Sequence, residues 1–215
     1  MNKSLRIITV LSLCAAFSLL CAFVARGGAL GFEARAYAEI TKRMNPALTM
    51  SMIFITNVGS LPVAIAALLL ICPGTRFQFG IPVSITAVIA SELNRLLKAL
   101  IARDRPKILV LVAETGYGFP SGHAMNNAAL YMMITLMVFR QTKNRKTRAA
   151  VSVAALGITV LIGISRVYLG VHNMADVLAG WAMGVAVALT VDTSFSIDAE
   201  NLFGLCCKNR ETVVY

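Results

Sequence analysis

The chain has 215 residues, 58% of them hydrophobic and only 14% charged, and a formal net charge of +10. Soluble domains carry about 25% charged residues, so this composition excludes an ordinary soluble protein and indicates an integral membrane protein. A charge of +10 would suggest a nucleic-acid partner in a soluble protein. We expect no such partner here, because many of the basic residues flank apolar stretches and fit a membrane topology.

Six apolar stretches predict an all-α fold, a bundle of six transmembrane helices. Five of them approach or exceed the roughly 20 residues that a helix needs to cross a bilayer, and the sixth is interrupted by Gly and Pro. In lipid only helices and closed barrels satisfy their own backbone, and these runs lack the alternation of barrel strands. We therefore expect one six-span domain over residues 1–192 and a cytoplasmic tail over residues 193–215.

The first two spans enclose a polar segment. Span one covers about residues 5–24 and is expected to be retained, because it lacks the small-residue cleavage site of a signal peptide. The segment at 27–46 has apolar residues at helical spacing, which fits either a loop helix packed on the bundle or an interfacial lid near a lipid-facing site. Span two covers about 48–71, and the Gly and Pro within 57–62 predict a kink.

The remaining four spans alternate with loops. Span three begins near Phe79, becomes polar before it ends, and should end at Pro106. Span four begins at Ser121, span five covers about 149–164, and span six covers about 172–190.

The basic residues fall into two groups. One group flanks the spans on a single side, which the excess of Lys and Arg marks as cytoplasmic, so both termini should be cytoplasmic. Its members are Lys3, Arg6, Arg76, Arg140, Lys143, Arg145, Lys146, Arg148, Lys208 and Arg210. The other group lies at the opposite face, contrary to the cytoplasmic preference of Lys and Arg, which suggests an anionic ligand there. Its members are Arg95, Lys98, Arg103, Arg105, Lys107 and Arg166.

The five cysteines predict no disulfide. Cys14, Cys21 and Cys72 fall inside apolar spans, where a free thiol behaves as a small hydrophobic group. Cys206 and Cys207 follow the last span on the predicted cytoplasmic side, where disulfides are rare. A metal or a lipid attached to this adjacent pair is the alternative.

The start of span four is a candidate anion site. Pro120 has a fixed φ, Ser121 can cap a helix, and the first amides of that helix have no intrahelical partner. A helix N-terminus of this kind attracts anions. The chain has only two histidines: His123 lies here, and His172 lies in a similar polar cluster before another apolar run.

The predicted topology gathers charged groups at the same face. Span five places Arg166 there, and Lys98 and Arg105, seven residues apart, can point the same way along a helix. Three cations and a helix N-terminus suit a phosphoryl group. His172 and Asp176 are four residues apart, so we expect them to share one face of a helix.

This set of residues suits covalent phosphoryl transfer. His172, with its tautomer fixed by Asp176, is placed like a nucleophile, and His123 would protonate the leaving oxygen. Either histidine alone could be an ordinary structural residue. Zinc held by two His and one Asp is the other alternative, but the surrounding cations would repel it, and no paired carboxylates remain for magnesium. We expect no metal and no cofactor.

Three motifs resemble, in the same order, the signatures of the type 2 phosphatidic acid phosphatase superfamily. They are Lys98-x6-Arg105-Pro106, Pro120-Ser121-Gly122-His123 and Ser165-Arg166-x5-His172-x3-Asp176. The resemblance covers roughly residues 57–180. One departure is Asn173-Met174-Ala175, where many relatives have an aromatic residue and a Pro-Thr or Pro-Ser pair. The departure concerns the geometry at the start of the last helix, since the histidine and the aspartate are both present.

The resemblance implies a role for each matching residue. The phosphate-binding residues would be Lys98, Arg105, Ser121, Gly122 and Arg166. The catalytic residues would be His172, which forms a phosphohistidine, His123, which acts as the acid, and Asp176, which orients His172. These implied roles agree with those that the residue types suggest.

The resemblance also implies a substrate class and a location. A chain this short is similar to bacterial members that act on undecaprenyl diphosphate, phosphatidylglycerophosphate or phosphatidic acid. A lipid phosphate substrate, a site at the outer face of the bacterial cytoplasmic membrane and contact with membrane lipids would follow. A lipid-linked phosphotransferase and a lipid or phosphate transporter remain alternatives, although transport would not require the histidines and the aspartate together. The oligomeric state is left open.

Overall fold

The computed structural model describes residues 2–26, 31–59, 77–106 and 109–211, with side chains as far as residue 195 except those of Phe32 and residues 77–79. Within these ranges the chain forms helices and contains no strand, which confirms the all-α class. The helices are α1 (Lys3–Ala25), α2 (Gly31–Thr41), α3 (Pro46–Val58), α4 (Phe77–Ile101), α5 (Gly122–Gln141), α6 (Arg145–Tyr168) and α7 (Met174–Glu211).

Short polar side chains cap the starts of several helices. Asn2 accepts a hydrogen bond from the Leu5 amide at the start of α1, and Asn144 accepts from the Lys146 amide at the start of α6. Ser121 is the N-cap of α5, as the sequence predicts. These oxygens satisfy amides that have no partner inside the helix, so each cap fixes where its helix begins.

The helices α5 and α7 lie side by side and form the centre of the bundle. At one end the Ser121 amide donates to Asp176 O at 2.9 Å, and at the other Arg140 Nη2 donates to Asp192 O at 2.8 Å. The first contact joins the starts of the two helices and the second joins later turns of both, so α5 and α7 run parallel. Gly180 permits the close approach, because a Cβ there would lie 2.8 Å from Ser121 O.

The other helices surround this pair. Helix α1 packs against α7, α4 and α6 flank α5, α3 packs against α6, and α2 contacts α6 and α7. The C-terminal ends of α4 and α6 lie near the N-terminal ends of α5 and α7. The predicted site residues lie at this end of the bundle.

The opposite end of the bundle is joined by ion pairs at Asp192, whose side chain has no exposed surface. Arg140 Nη2 lies 2.6 Å from Asp192 Oδ1, and Arg6 Nη1 donates to Asp192 Oδ2. Because Arg6 belongs to α1, this carboxylate links the first helix of the chain to α5 and α7.

Three helical segments of the described ranges are long and apolar enough to cross a bilayer: Lys3–Ala25, Arg145–Tyr168 and Met174–Phe195. The helix α3 ends at Val58 with Gly59 as its C-cap, and the rest of span two, with residues 60–62 of the predicted kink, lies outside the described residues. The same holds for Cys72, and for the side chains of Cys206 and Cys207. Cys14 and Cys21 are free thiols, as predicted.

Two helix boundaries differ from the sequence prediction. The helix α4 ends at Ile101 rather than at Pro106, because Ala102 has a φ of +48° and Arg103 O accepts from the Gly118 amide instead of continuing the helix. The helix α7 continues past the predicted end of span six near residue 190 and ends at Glu211, while the assignment of residues 193–215 to a cytoplasmic tail stays a prediction. The polar composition after residue 192 therefore does not interrupt the helical backbone.

Candidate active site

His172 lies in the turn between α6 and α7, before the first residue of α7. The prediction that His172 and Asp176 share a helix is wrong, because Gly170 adopts a φ of +70° and the chain turns before Met174 begins the helix. The two side chains nevertheless meet: His172 Nδ1 lies 3.5 Å from Asp176 Oδ2. A turn thus achieves the contact that helical spacing was expected to provide.

The hydrogen bonding of His172 defines its tautomer. Arg105 Nη1 donates to His172 Nε2 at 3.2 Å, and a guanidinium group can only donate. Nε2 must therefore be unprotonated, and the ring proton lies on Nδ1, on the side of Asp176. Burial lowers the pKa of His172 to about 4, against a weaker opposite effect of Asp176, so the ring is neutral near pH 7. A neutral ring whose Nε2 carries a lone pair rather than a proton is the nucleophilic form.

Asp176 has no exposed surface, and both of its carboxylate oxygens are used. Oδ2 accepts from the Asn173 amide at 2.8 Å, and Oδ1 accepts from Arg103 Nη1 at 2.6 Å. These two donors hold the carboxylate in one orientation beside His172.

Arg166 lies near the end of α6, with 1% of its surface exposed. Nη1 donates to Thr56 Oγ1 at 2.6 Å, and Nη2 donates to the Glu114 carboxylate. Nε is buried and has no hydrogen-bond partner. A buried guanidinium with an unused donor is well suited to receive another anionic oxygen.

Lys98 and Arg105 are held by the carbonyl groups of one loop. Lys98 Nζ donates to Tyr117 O at 2.6 Å, and Arg105 donates to Gly116 O and Thr115 O, both at 2.9 Å. The two cations converge as predicted, although Arg105 follows the end of α4 rather than lying on it.

The residues Ser121, Gly122 and His123 form the start of α5. Ser121 Oγ accepts from the Ala124 amide at 3.4 Å, so its hydroxyl serves the helix cap. At Gly122 a Cβ would lie 3.0 Å from Asn94 Oδ1, which favours glycine at this point. His123 lies within electrostatic range of the other charged groups of the site, namely Lys98, Glu114, Arg166 and His172.

All eight residues predicted from the sequence therefore lie at one end of the bundle. Arg95, of the unusual basic group, does not contribute to the site, because it is 74% exposed and pairs with Glu92. Lys107, of the same group, lies outside the described residues. The structure shows where the eight residues lie, and their catalytic roles stay predictions.

Glu114 is a charged group of the site that the sequence did not indicate. Its carboxylate pairs with Arg166, and Oε2 lies 3.6 Å from Arg105 Nη2. Burial raises the pKa of this carboxyl, but Arg166 and Arg105 outweigh that effect, so the pKa lies below its ordinary value. Glu114 is therefore ionised near neutral pH and lies against two of the three cations proposed for phosphate.

Arg103 and Glu33 were likewise not predicted as site residues. Arg103 Nη2 donates to Glu33 Oε2 at 3.2 Å, while its Nη1 contacts Asp176. Arg103 belongs to the unusual basic group, so its position in the sequence already indicated a place near an anionic group. The sequence gave no such indication for Glu33, because no motif in the polar segment 27–46 distinguishes it from Glu39.

Comparison with known proteins identifies the family. The PAP2 superfamily profile matches residues 79–196, more than half of the chain. The chain belongs to the PAP2 superfamily. This confirms the resemblance to the type 2 phosphatidic acid phosphatases that the three motifs suggested.

The similar proteins include phosphatases that act on different substrates. Phosphatidylglycerophosphatase B of Bacillus subtilis is 43% identical over 100 residues, which cover 46% of this chain and 49% of that protein. The chain thus matches about half the length of this relative. Undecaprenyl-diphosphatase of Sulfolobus acidocaldarius is 32% identical over 167 residues, covering 72% of this chain and 74% of that protein.

A solved structure shows the same fold. The crystal structure of the transmembrane PAP2 type phosphatidylglycerolphosphate phosphatase from Bacillus subtilis matches with a TM-score of 0.79 at 29% identity. The match covers 88% of this chain and 96% of that one. The helical bundle of this chain is therefore that of a membrane PAP2 phosphatase.

Proposed function

We propose that this protein is a multi-pass membrane phosphatase that hydrolyses a phosphomonoester or a diphosphate of a lipid through a phosphohistidine at His172. The observation that supports this most directly is the contact between Arg105 and His172, in which Nε2 accepts a hydrogen bond and therefore carries a lone pair rather than a proton. The proposal includes six spans, cytoplasmic termini and a site that faces the outside of the bacterial cytoplasmic membrane. The charge distribution of the loops supports this topology.

In the first step, His172 Nε2 attacks phosphorus and the bond from phosphorus to the leaving oxygen breaks. Lys98, Arg105 and Arg166 stabilise the charge on the equatorial oxygens, and the incoming phosphoryl group displaces the Glu114 carboxylate from two of them. His123 donates a proton to the leaving oxygen of the lipid. Asp176 stabilises the positive charge that develops on the His172 ring.

In the second step, a water molecule attacks the phosphohistidine. His123, now neutral, accepts a proton from this water, the bond between Nε2 and phosphorus breaks, and inorganic phosphate is released. His123 therefore returns to its protonated form, and the site is ready for another substrate. Transfer of the phosphoryl group to a lipid hydroxyl in place of water would give the phosphotransferase alternative.

The names of the similar proteins support two substrates, phosphatidylglycerophosphate and undecaprenyl diphosphate, and phosphatidic acid fits the same chemistry. All three place a phosphoryl group at the head of a membrane lipid. Release of inorganic phosphate from purified protein, offered these three lipids in detergent or vesicles, tests the proposal. Release from none of them, with transfer to an added lipid alcohol, would favour the phosphotransferase.

The two histidines should fail differently when they are replaced. His172→Ala removes the attacking nitrogen, so it should lose activity on both lipid phosphates and aryl phosphates. His123→Ala removes only the proton donor, which is typically worth about 10²–10⁴-fold and matters less for a phenolate that leaves readily as an anion. It should therefore retain a larger fraction of its activity on an aryl phosphate.

Turnover measured for both variants on both substrates decides this assignment. Acid-labile phosphate should be trapped on the wild-type chain and be absent from His172→Ala. Equal losses on both substrates for His123→Ala, together with residual lipid phosphatase activity in His172→Ala, would reverse the roles of nucleophile and acid.

A further inference from the structure

A row of charged side chains connects α2 to the proposed nucleophile. Glu33 of α2 accepts a hydrogen bond from Arg103 Nη2 at 3.2 Å, and Arg103 Nη1 donates to Asp176 Oδ1 at 2.6 Å. Asp176 Oδ2 in turn lies 3.5 Å from His172 Nδ1. The order is therefore carboxylate, guanidinium, carboxylate and imidazole, with each group in contact with the next.

These groups are shielded from water, which makes their pairing important. The side chains of Glu33, Arg103 and Asp176 are 5%, 16% and 0% exposed. A buried charge that loses its partner is strongly unfavourable, so the members of such a row hold each other in place. Burial lowers the pKa of Arg103, but Asp176 and Glu33 outweigh this and hold the pKa above its ordinary value.

Arg103 differs in function from the three cations assigned to phosphate. Both of its Nη atoms are engaged by carboxylates, one from α2 and one from α7. The planar guanidinium group matches two carboxylates at once through its fixed fork of donors. Arg103 therefore binds the Asp176 oxygen that does not face His172, and its two carboxylate partners explain why one residue of the unusual basic group lies here.

Glu33 also contacts the start of α7 directly. Its Oε1 accepts from the Ala175 amide at 3.2 Å, and this amide belongs to the first turn of α7. A carboxylate at a helix N-terminus satisfies a free amide and interacts favourably with the helix dipole. One carboxylate on α2 therefore holds both Arg103 and the helix turn that bears Asp176.

We propose that Glu33 and Arg103 are positioning residues, which fix the Asp176 carboxylate and through it the orientation and tautomer of His172. This inference rests on the proposed function, because it assigns no role unless His172 is the nucleophile. It makes α2 a part of the catalytic geometry, rather than only a helix packed on the bundle. The expected defect is a slower attack on phosphorus with little change in substrate binding.

Glu33→Gln tests this with the smallest change in shape. The amide oxygen can still accept from the Ala175 amide, but the negative charge facing Arg103 is lost. We expect kcat to fall about tenfold or more, to the same extent on lipid and aryl phosphates, with KM changed less than twofold. The magnitude is taken from metal sites, where replacing the outer partners that orient a histidine costs about 10–100-fold. Glu39→Gln is the matched control, since Glu39 is on the same helix, is 62% exposed and pairs only locally with Lys42.

Arg103→Lys keeps one positive charge but cannot bridge two carboxylates, so it should also lower kcat at nearly constant KM. The double variant Glu33→Gln with Arg103→Lys should lose little more than the worse single variant, because the two residues act through one carboxylate. Arg95→Lys is the control for arginine, since Arg95 pairs with Glu92 on the surface. Single-turnover formation of acid-labile phosphoenzyme should be slowed in the test variants and unchanged in the controls.

The possible outcomes distinguish the proposed function from the positioning role of Glu33 and Arg103. No phosphate release and no phosphoenzyme from the wild-type protein would overturn the proposed function itself. An active wild type with Glu33→Gln equal to Glu39→Gln would overturn the positioning role alone. A fall in Glu33→Gln activity that only matches a smaller folded fraction, measured by thermal unfolding, or a fall that resides in KM, would also overturn it.

Discussion

Glu114 contacts two of the arginines that we propose bind the substrate phosphate, so its replacement should strengthen anion binding. Its carboxylate pairs with Arg166 and lies 3.6 Å from Arg105. Glu114→Gln removes the negative charge and leaves a neutral side chain of nearly the same size. Both guanidinium groups then become more available to an incoming anion, whereas the rest of the site keeps its contacts.

The magnitude follows from the interactions that the anion must break. Glu114 is 27% exposed and Arg166 is 1% exposed, so this pair is largely shielded from solvent. Hydrogen bonds between charged groups contribute about 1.5–3 kcal/mol, and glutamine retains part of the interaction as a neutral acceptor. A gain near the lower value, about 1.5 kcal/mol, corresponds to roughly tenfold tighter anion binding.

The assay is competitive inhibition of aryl phosphate hydrolysis by orthovanadate, which resembles the transition state of phosphoryl transfer. The inhibition constant of Glu114→Gln should be about tenfold lower than that of the wild type. Glu92→Gln is the control, because Glu92 forms an exposed pair with Arg95 at 2.6 Å. An inhibition constant that stays the same or rises in Glu114→Gln would refute the view that this carboxylate competes with phosphate.

Three further predictions follow from the same site. Turnover should survive chelation, because we propose that Lys98, Arg105 and Arg166 neutralise the phosphate charge. Loss of turnover on chelation, with recovery on adding a divalent ion, would contradict this. Burial lowers the pKa of His172 to about 4, so the nucleophile is neutral above that pH and protonated below it. The fall of kcat/KM on the acid side that is due to His172, corrected for substrate ionisation, should therefore lie toward pH 4, and a His172-dependent fall near 6.5 would contradict this. A cysteine placed at Thr115 should react with an impermeant reagent in intact cells, and reaction only after permeabilisation would reverse the topology.

The sequence predicted the residues whose chemistry is local to a motif. The pair of histidines, the cations at 98, 105 and 166, and the cap at Ser121 each follow a recognisable pattern of charge or helix start. Glu114 and Glu33 could not be found in this way. Their importance comes from which arginine each one contacts, and that depends on how loops and helices distant in sequence pack together.

The helix boundaries show a second limit of sequence reasoning. Pro106 is a strong signal for a helix end, yet α4 ends at Ile101. The earlier end frees Arg103 to reach Asp176 and Glu33, and a hydrogen bond from Gly118 to Arg103 O replaces the helical one. Likewise His172 meets Asp176 from a turn. Tertiary contacts determine where α4 ends and how His172 reaches Asp176, and the periodicity of the local sequence does not predict either.

The buried carboxylate of Asp192 has a consequence for how the protein is made. Its partner Arg6 lies 186 residues earlier in the chain, so α1 leaves the ribosome long before the charge that neutralises its arginine has been synthesised. Asp192 has no exposed surface in the finished bundle, where Arg140 of α5 also pairs with it. The contact between Arg6 and Asp192 can form only after α7 has been made, so we expect the docking of α1 on α7 to be among the last steps of assembly.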